Sequence, residues 1–159
     1  MSQGIRNLAD FPNHILTWDI TYEPGMLKAI AKNSNEQKAE AELQTAGDPV
    51  KLIIESDTNK LQPDNQDVVH VSVRIVDDNG TTVYSANNRI TCVITGPARL
   101  LGIEDANSRN VEDNKDNNQA TYHGKALIYV QAMQESGMVK IIVSAEGLPS
   151  EVVNLKIVD

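Results

Sequence analysis

The stretch VHVSVRIVDDNG, residues 69–80, decides the fold of this chain. Valine or isoleucine occupies every second position from 69 to 75 and alternates with polar residues, which is the pattern of a β-strand with one buried face. The Asp78-Asn79-Gly80 sequence then predicts a tight hairpin turn, because Asn-Gly accommodates the positive φ angles that such turns require. We therefore expect a strand that ends near residue 76 and a returning strand over Thr81–Ala86.

The same alternation recurs on both sides of this stretch. Further strands are predicted over residues 50–55, 90–94, 99–103, 126–132, 139–145 and 153–157, with glycine-containing turn signals between several of them. Seven or eight short strands from residue 49 onward predict an all-β fold, an Ig-like β-sandwich. Strands do not alternate with helical segments, so the pattern predicts neither a Rossmann fold nor a (β/α)₈ barrel.

The first 48 residues pose a separate problem. Leu16, Trp18, Ile20 and Tyr22 would share one face of a first strand, and residues 27–31 and 39–43 predict two more. Three strands without a second sheet leave an apolar face uncovered. They could pack on the sandwich, be covered by a partner, or be the end of a preceding domain. We divide the chain into a partial three-strand β segment at residues 1–48 and the sandwich at residues 49–159.

Composition excludes several classes of partner. The chain has 159 residues, with 22 acidic against 14 basic residues and a formal net charge of −8. Nucleic-acid binding requires clustered Lys and Arg, so neither nucleic acid nor an anionic membrane surface is an expected partner. No apolar run approaches the ~20 residues that a membrane-spanning helix needs. Cys92 is the only cysteine, and its place in an apolar alternation predicts a buried, unreactive thiol.

The sequence predicts no catalytic residue, no metal ligand set and no cofactor. The pairs Glu104/Asp105 and Glu112/Asp113 fall in or beside a polar loop, so we interpret them as solvated charges. The Asp- and Asn-rich stretch 105–119 could supply oxygen ligands to calcium, but it fails as an EF-hand because Asn110 stands where glycine is required. A surface loop is the favoured interpretation, and an irregular calcium site is the alternative.

Five aromatic residues could stack against a sugar ring: Trp18, Tyr22, Tyr84, Tyr122 and Tyr129. Tyr129 falls on the strand face opposite Ile128 and Val130, so it is predicted to be exposed and is the first ligand-binding candidate. Trp18 is the second candidate, although its alternation with Ile20 favours a place in the core for both Trp18 and Tyr22.

Several short motifs, in order, resemble the C-terminal Ig-like region of a bacterial family 2 glycoside hydrolase of the β-galactosidase type. Residues 103–108 depart from the pattern in a way that resembles gut-type enzymes of Bacteroidetes. The motifs that carry the resemblance are Trp18–Lys32, Thr45–Pro49, Leu61–Asp67, Gly96–Gly102, Tyr122–Leu127, Val130–Ala132 and Ser144–Leu148.

The resemblance implies a function as well as a fold. In that family the catalytic glutamates lie in a preceding barrel, so this region would be a non-catalytic accessory domain of a carbohydrate-acting enzyme. Its partners would be the catalytic barrel and the other domains of the parent hydrolase, with carbohydrate as a possible ligand and self-association possible through the N-terminal segment. The implied location is periplasmic or secreted, although Met1–Arg6 shows no signal peptide. The alternative is an independent carbohydrate-binding or adhesin-like Ig module.

Overall fold

The computed structural model describes residues 4–158, and the chain divides into two compact units. Met1–Thr45 is the N-terminal unit and Ala46–Asp159 is the sandwich. The N-terminal unit contains a one-turn 3₁₀ helix at Leu8–Asp10 and two strands, β1 (Met26–Asn33) and β2 (Glu36–Gln44). The sandwich contains β3 (Lys51–Ser56), β4 (Lys60–Leu61), β5 (Val68–Val76), β6 (Arg89–Thr95), β7 (Ala98–Glu104), β8 (Asn118–Ala120), β9 (Lys125–Ala132), β10 (Gly137–Ala145) and β11 (Leu148–Ile157).

The sandwich strands form two sheets with Ig-like connectivity. One sheet has the order β3-β5-β9-β7 and the other β4-β11-β10-β6-β8. The first corresponds to strands A, B, E and D of an Ig domain, and β6, β10 and β11 of the second correspond to C, F and G. Neighbours pair antiparallel except β4, which pairs parallel to β11 after the chain has crossed from the first sheet to the second. The predicted all-β, Ig-like sandwich is confirmed.

The core between the sheets is aliphatic. The inward positions of β5 and β9 are buried, as the alternation predicts, and those of β10 face them from the other sheet. The buried hydrophobic residues of the described chain include no aromatic residue. Each buried Val, Leu or Ile contributes roughly 1.5–3 kcal/mol, so many small contributions replace a few large ones. Cys92 is one of these residues, 2% exposed, which confirms its predicted burial, and this burial raises the pKa of its thiol to about 11.

The predicted turn after β5 is present, but the predicted strand over Thr81–Ala86 is wrong. Gly80 has φ +82°, and its N–H donates to the carbonyl of Asp77. Beyond the turn the chain makes one bridge, from Thr82 to Val76. A longer return is not possible because β9 already pairs with β5 from Val68 to Arg74.

Two short strands escaped prediction. β4 and β8 contain two and three residues, too few to show an alternating pattern. β8 pairs with β6 and ends the Asp- and Asn-rich loop, and its central residue Gln119 is fully buried. Asp105, at the start of the same loop, is only 8% exposed, so its interpretation as a solvated charge was wrong. Backbone N–H of Asn107 and the side-chain amide of Asn110 donate to the Asp105 carboxylate at 2.8 Å and 3.1 Å.

The described residues of the N-terminal unit, 4–45, form two strands instead of the predicted three. β1 and β2 form an antiparallel hairpin whose turn residues Ser34 and Asn35 have φ +48° and +69°. Residues 16–22 form no strand, because a strand needs a hydrogen-bonding neighbour and none in the described part of this unit pairs with them. Trp18 is 38% and Tyr22 73% exposed, so their predicted place in a core is also wrong for this chain.

Candidate functional site

Tyr129, the first predicted ligand-binding residue, lies on the outer face of the four-stranded sheet and is partly buried. Its hydroxyl donates to Oε2 of Glu104 at 2.8 Å, and its ring meets the edge of the His70 ring at a centroid distance of 5.2 Å. The hydrogen bond to Glu104 raises the pKa of the Tyr129 phenol, because ionisation would place two negative charges side by side. The ring is therefore held by two contacts instead of standing free.

A shallow cavity of about 280 Å³ adjoins Tyr129. Its far wall is the Asp- and Asn-rich loop, which folds back on β7 so that the Ile103 N–H donates to the carbonyl of Asn114 at 2.7 Å. Gly102 permits this approach, since a Cβ there would lie 2.7 Å from the same carbonyl oxygen. The volume is just below the ~300–1,000 Å³ of typical ligand sites.

His70 connects Tyr129 to a second charged group. Its Nδ1 lies 2.7 Å from Oδ2 of Asp57, and its backbone N–H donates to Oδ1 at 3.1 Å. Burial acts to raise the pKa of Asp57, but the side-chain and backbone hydrogen bonds from His70 outweigh it and lower that pKa. Both side chains are about half exposed, so the pair contributes little to stability.

Trp18, the second predicted ligand-binding residue, belongs to the N-terminal unit. The guanidinium carbon of Arg6 lies 5.4 Å from the Trp18 ring centroid, a cation–π arrangement. Arg6 also donates from Nη1 to the carbonyl of Thr17 at 2.6 Å, which fixes the guanidinium beside the ring. Trp18 and Tyr129 thus lie in different units, and each is held by its own local contacts.

A larger and even shallower surface depression, of about 570 Å³, lies in the sandwich and was not predicted as a site. We call it the tyrosine cavity; it is lined by Tyr84, Asp105, Ala106, Tyr122, His123 and Lys125. Tyr84 is 60% and Tyr122 41% exposed, so both offer more ring surface than the partly buried Tyr129. The sequence identified both rings as stacking candidates but gave no sign that they meet, because 38 positions separate them.

A tight turn between β8 and β9 builds one wall of the tyrosine cavity. Tyr122 and Lys125 exchange both backbone hydrogen bonds, and the two residues between them, His123 and Gly124, have φ +51° and +68°. These are the angles of a type I′ turn, in which both central residues are left-handed. The motif Tyr-His-Gly-Lys was visible in the sequence and could have indicated the turn, though not what faces it.

The side chains of the cavity are fixed by specific contacts. Nδ1 of His123 lies 3.1 Å from the carbonyl oxygen of Tyr84. A carbonyl only accepts, so Nδ1 of His123 carries a proton and donates to it. The Tyr122 and His123 rings pack at a centroid distance of 4.1 Å, and the ammonium of Lys125 lies 5.1 Å from the Tyr84 ring centroid.

The acidic pairs considered for glycosidase chemistry have other roles in the structure. Glu104 accepts from Tyr129, and Asp105 accepts from its own loop. Glu112 forms a two-pronged ion pair with Arg89, which lowers the pKa of that carboxyl through hydrogen bonding and charge. Within residues 4–158 no group of three or more His, Cys, Asp or Glu side chains could hold a metal ion. No helix in the same range is long and apolar enough to cross a membrane.

Comparisons with known proteins cover both units. Residues 52–154 match the model of glycoside hydrolase family 2 C-terminal domain 5, and residues 1–40 match a domain of unknown function, DUF4982. Beta-galactosidase BoGH2A of Bacteroides ovatus is 30% identical over 154 residues, which are 97% of this chain and 18% of that protein. A glycosyl hydrolase family 2 member from Bacteroides cellulosilyticus has a TM-score of 0.93 at 25% identity, covering 99% of this chain and 20% of that one. The chain thus spans about a fifth of the length of these two relatives.

Proposed function

The chain belongs to the family of glycoside hydrolase family 2 C-terminal domains, and from this premise we propose that it is a non-catalytic accessory domain of a β-galactosidase-like enzyme. The observation that carries the proposal is the continuous match of both units to one β-galactosidase, over 97% of the chain. The domain would work beside a catalytic barrel, with the other domains of the parent hydrolase as its partners.

The side chains of the sandwich support a role outside the chemical step. A retaining glycosidase needs two carboxylates about 5 Å apart, one acting as acid/base and one as nucleophile. Glu104, Asp105 and Glu112 instead accept hydrogen bonds from the Tyr129 hydroxyl, the Asn107 backbone N–H and the Arg89 guanidinium, respectively. These carboxylates are held by contacts within the β7–β8 region and are not arranged as an acid/base and nucleophile pair.

The N-terminal unit supports the same proposal from another direction. All residues of β1 and β2 are exposed, including Leu27, Ile30 and Leu43, which are large and apolar. A two-stranded hairpin is only marginally stable without a layer to cover its apolar side chains. Because residues 1–40 match a separate domain model, we propose that this unit is the end of that preceding domain in the parent enzyme.

The experiment compares this chain with its parent hydrolase, obtained by reading the coding sequence upstream of Met1. A chromogenic β-galactoside should be hydrolysed by the parent and not by the purified chain. Deleting residues 46–159 from the parent should lower its melting temperature, whereas kcat of the folded fraction should change less than about tenfold. Hydrolysis by the purified chain, in preparations that show no contaminating enzyme, would refute the non-catalytic role.

Location follows from the same premise. We propose a periplasmic or secreted enzyme, as the family resemblance implies. Fractionation of the native host, followed by detection of the parent hydrolase with an antibody against this chain, tests the location. A signal confined to the cytoplasmic fraction would contradict it.

A further inference from the structure

The outer face of the five-stranded sheet carries an apolar row that the core does not explain. Val93, Ile142 and Val152 lie beside one another on β6, β10 and β11, on the side of the sheet that faces away from the core. Val93 is 47% and Val152 41% exposed. An antiparallel sheet with one solvated face normally places polar residues outward, and three aliphatic side chains in one outward row depart from that pattern.

The sequences of the three strands show the same departure. Each strand has apolar residues at consecutive positions, namely 92–94 in β6, 141–143 in β10 and 152–153 in β11. Consecutive apolar residues are typical of strands that are covered on both faces. The core of the sandwich covers one face of these strands, and the pairing register gathers the outward residues of the three runs into one row. We therefore expect a further structure to cover the outer face.

The outer face of the four-stranded sheet provides an internal comparison. It also has outward apolar residues, among them Ile53 and Leu127, but the neighbouring strand β5 places Arg74 beside Ile53 and Ser72 beside Leu127. Polar residues thus interrupt both rows. Nη2 of Arg74 also lies 3.9 Å from Oε2 of Glu55 on the same face. Interrupted rows with paired charges suit a face that contacts water, so the two outer faces of the sandwich differ in kind.

Lysines surround one end of the apolar row. Lys156 of β11 is paired with Met138 of β10 on one side and with Lys60 of β4 on the other, and Lys140 is the next outward residue of β10. Like charges at neighbouring positions of adjacent strands are destabilising. Among the described residues, no carboxylate lies within 4.0 Å of any of these three ammonium groups, although the chain has a net charge of −8. This arrangement favours a partner that brings both aliphatic side chains and carboxylates.

We propose that this surface docks the sandwich against another domain of its parent hydrolase. The inference rests on the proposed function, because it takes the parent to be a longer polypeptide. We call the surface the outer patch. It consists of Val93, Met138, Ile142 and Val152 with Lys60, Lys140 and Lys156.

The size of the outer patch favours a domain of the same polypeptide over a separate molecule. Its seven residues are about a third of the ~20–30 residues per side that a stable complex between free proteins uses. A second copy of the chain would therefore be held weakly. A tethered domain is present at an effective concentration in the millimolar range, so a small interface suffices. The chain spans about a fifth of the length of its relatives, which leaves about four-fifths of such a parent to supply the partner.

The test measures how accessible one position of the outer patch is in the isolated chain and in the full-length parent. Val152→Cys places a thiol in the outer patch, and the natural Cys92 gives little background because it is only 2% exposed. Alkylation by iodoacetamide is followed for each cysteine-containing peptide by mass spectrometry. The thiol of Val152→Cys should react at least about tenfold more slowly in the parent, which corresponds to a patch that is docked about 90% of the time.

Two matched controls separate docking from other effects. Leu101 is 39% exposed on β7 of the other sheet, so Leu101→Cys should react at the same rate in the chain and in the parent. Lys140→Glu together with Lys156→Glu should speed the reaction of Val152→Cys in the parent, because carboxylates of the partner would then face carboxylates. Lys115→Glu changes an exposed lysine in the loop before β8 and should leave that rate unchanged. Far-UV circular dichroism confirms that each variant is folded.

Three results in the parent would each overturn the proposal: no slowing at Val152→Cys, equal slowing at Leu101→Cys, or no response to the two lysine substitutions. Slowing in the isolated chain that grows with its concentration would also overturn it, because the occupant would then be a second copy. These results leave the accessory role intact, since that role is tested by hydrolysis and thermal stability. Conversely, hydrolysis by the isolated chain would refute the accessory role and leave the alkylation rates as they were measured.

Discussion

Gly96 offers the sharpest test of how the two sheets are joined. It lies between β6 and β7 with φ +101°, and a Cβ added there would lie 2.1 Å from the carbonyl oxygen of Met138. Met138 belongs to β10, the central strand of the five-stranded sheet. Gly96→Ala therefore requires either a left-handed alanine pressed against a backbone atom or a displacement of that strand.

The expected cost has two parts. A left-handed conformation costs an alanine roughly 1–2 kcal/mol. Restoring an ordinary contact of 3.4 Å or more would move backbone in the middle of a sheet, and overpacking of this kind typically costs a further 1–3 kcal/mol. We expect a total loss of about 2–5 kcal/mol in the free energy of unfolding, a large part of the stability of a domain of this size.

Gly147 provides the matched control. Its φ is +76°, but no atom lies within 4 Å of the position that a Cβ would take. Gly147→Ala should therefore lose only the conformational part, roughly 1–2 kcal/mol. Urea unfolding followed by far-UV circular dichroism measures both variants. Equal stability of the two within about 0.5 kcal/mol would refute the reasoning, because it would show that the contact with Met138 has no cost.

Three further predictions concern buried polar groups and the exposed hairpin. Gln119→Met should raise the free energy of unfolding by about 1–3 kcal/mol, because neither amide atom of the buried Gln119 has a hydrogen-bond partner within residues 4–158; a lower melting temperature would contradict this. Hydrogen bonds from the backbone N–H groups of Gly47, Thr81 and Asn79 lower the pKa of Asp77. The Asp77 carboxylate therefore contributes to the free energy of unfolding above the unfolded pKa of about 3.9, and this contribution is lost as the pH falls through the folded value. Asp77→Asn should therefore flatten the acid dependence of the urea midpoint below pH ~4, and an unchanged dependence would count against it. The exposed apolar residues of β1 and β2 should make the chain self-associate, which sedimentation velocity measures, and a strictly monomeric species at high concentration would oppose this.

The fold was predictable for strands that are long enough to show an alternating apolar pattern in their own sequence. β5, β9 and β10 each have eight or nine residues with alternating burial, which the sequence shows directly. The missing strand over Thr81–Ala86 was not predictable, since it depends on the competing pairing of β9 with β5. β4 and β8 form because they pair with the longer strands β11 and β6. The residues that determine these two short strands therefore lie elsewhere in the chain.

The candidate site shows the same limit. That Tyr129 alternates with buried residues was readable from the sequence, but its hydrogen bond to Glu104 depends on the pairing of β7 with β9. The tyrosine cavity joins residues 84, 105 and 122–125, and only the three-dimensional path of the chain brings them together. Composition could have helped, because a core without aromatic residues implies that the tyrosines lie outside the core.

The aromatic-free core also has an optical consequence. Trp18, the only tryptophan, lies in the N-terminal unit, whereas the sandwich absorbs near 280 nm through tyrosines alone. Emission excited at 295 nm therefore reports on the N-terminal unit, and far-UV circular dichroism is dominated by the nine strands of the sandwich. Without any added label, the two signals can be followed in one sample, and transitions at different temperatures would show directly that the two units unfold separately.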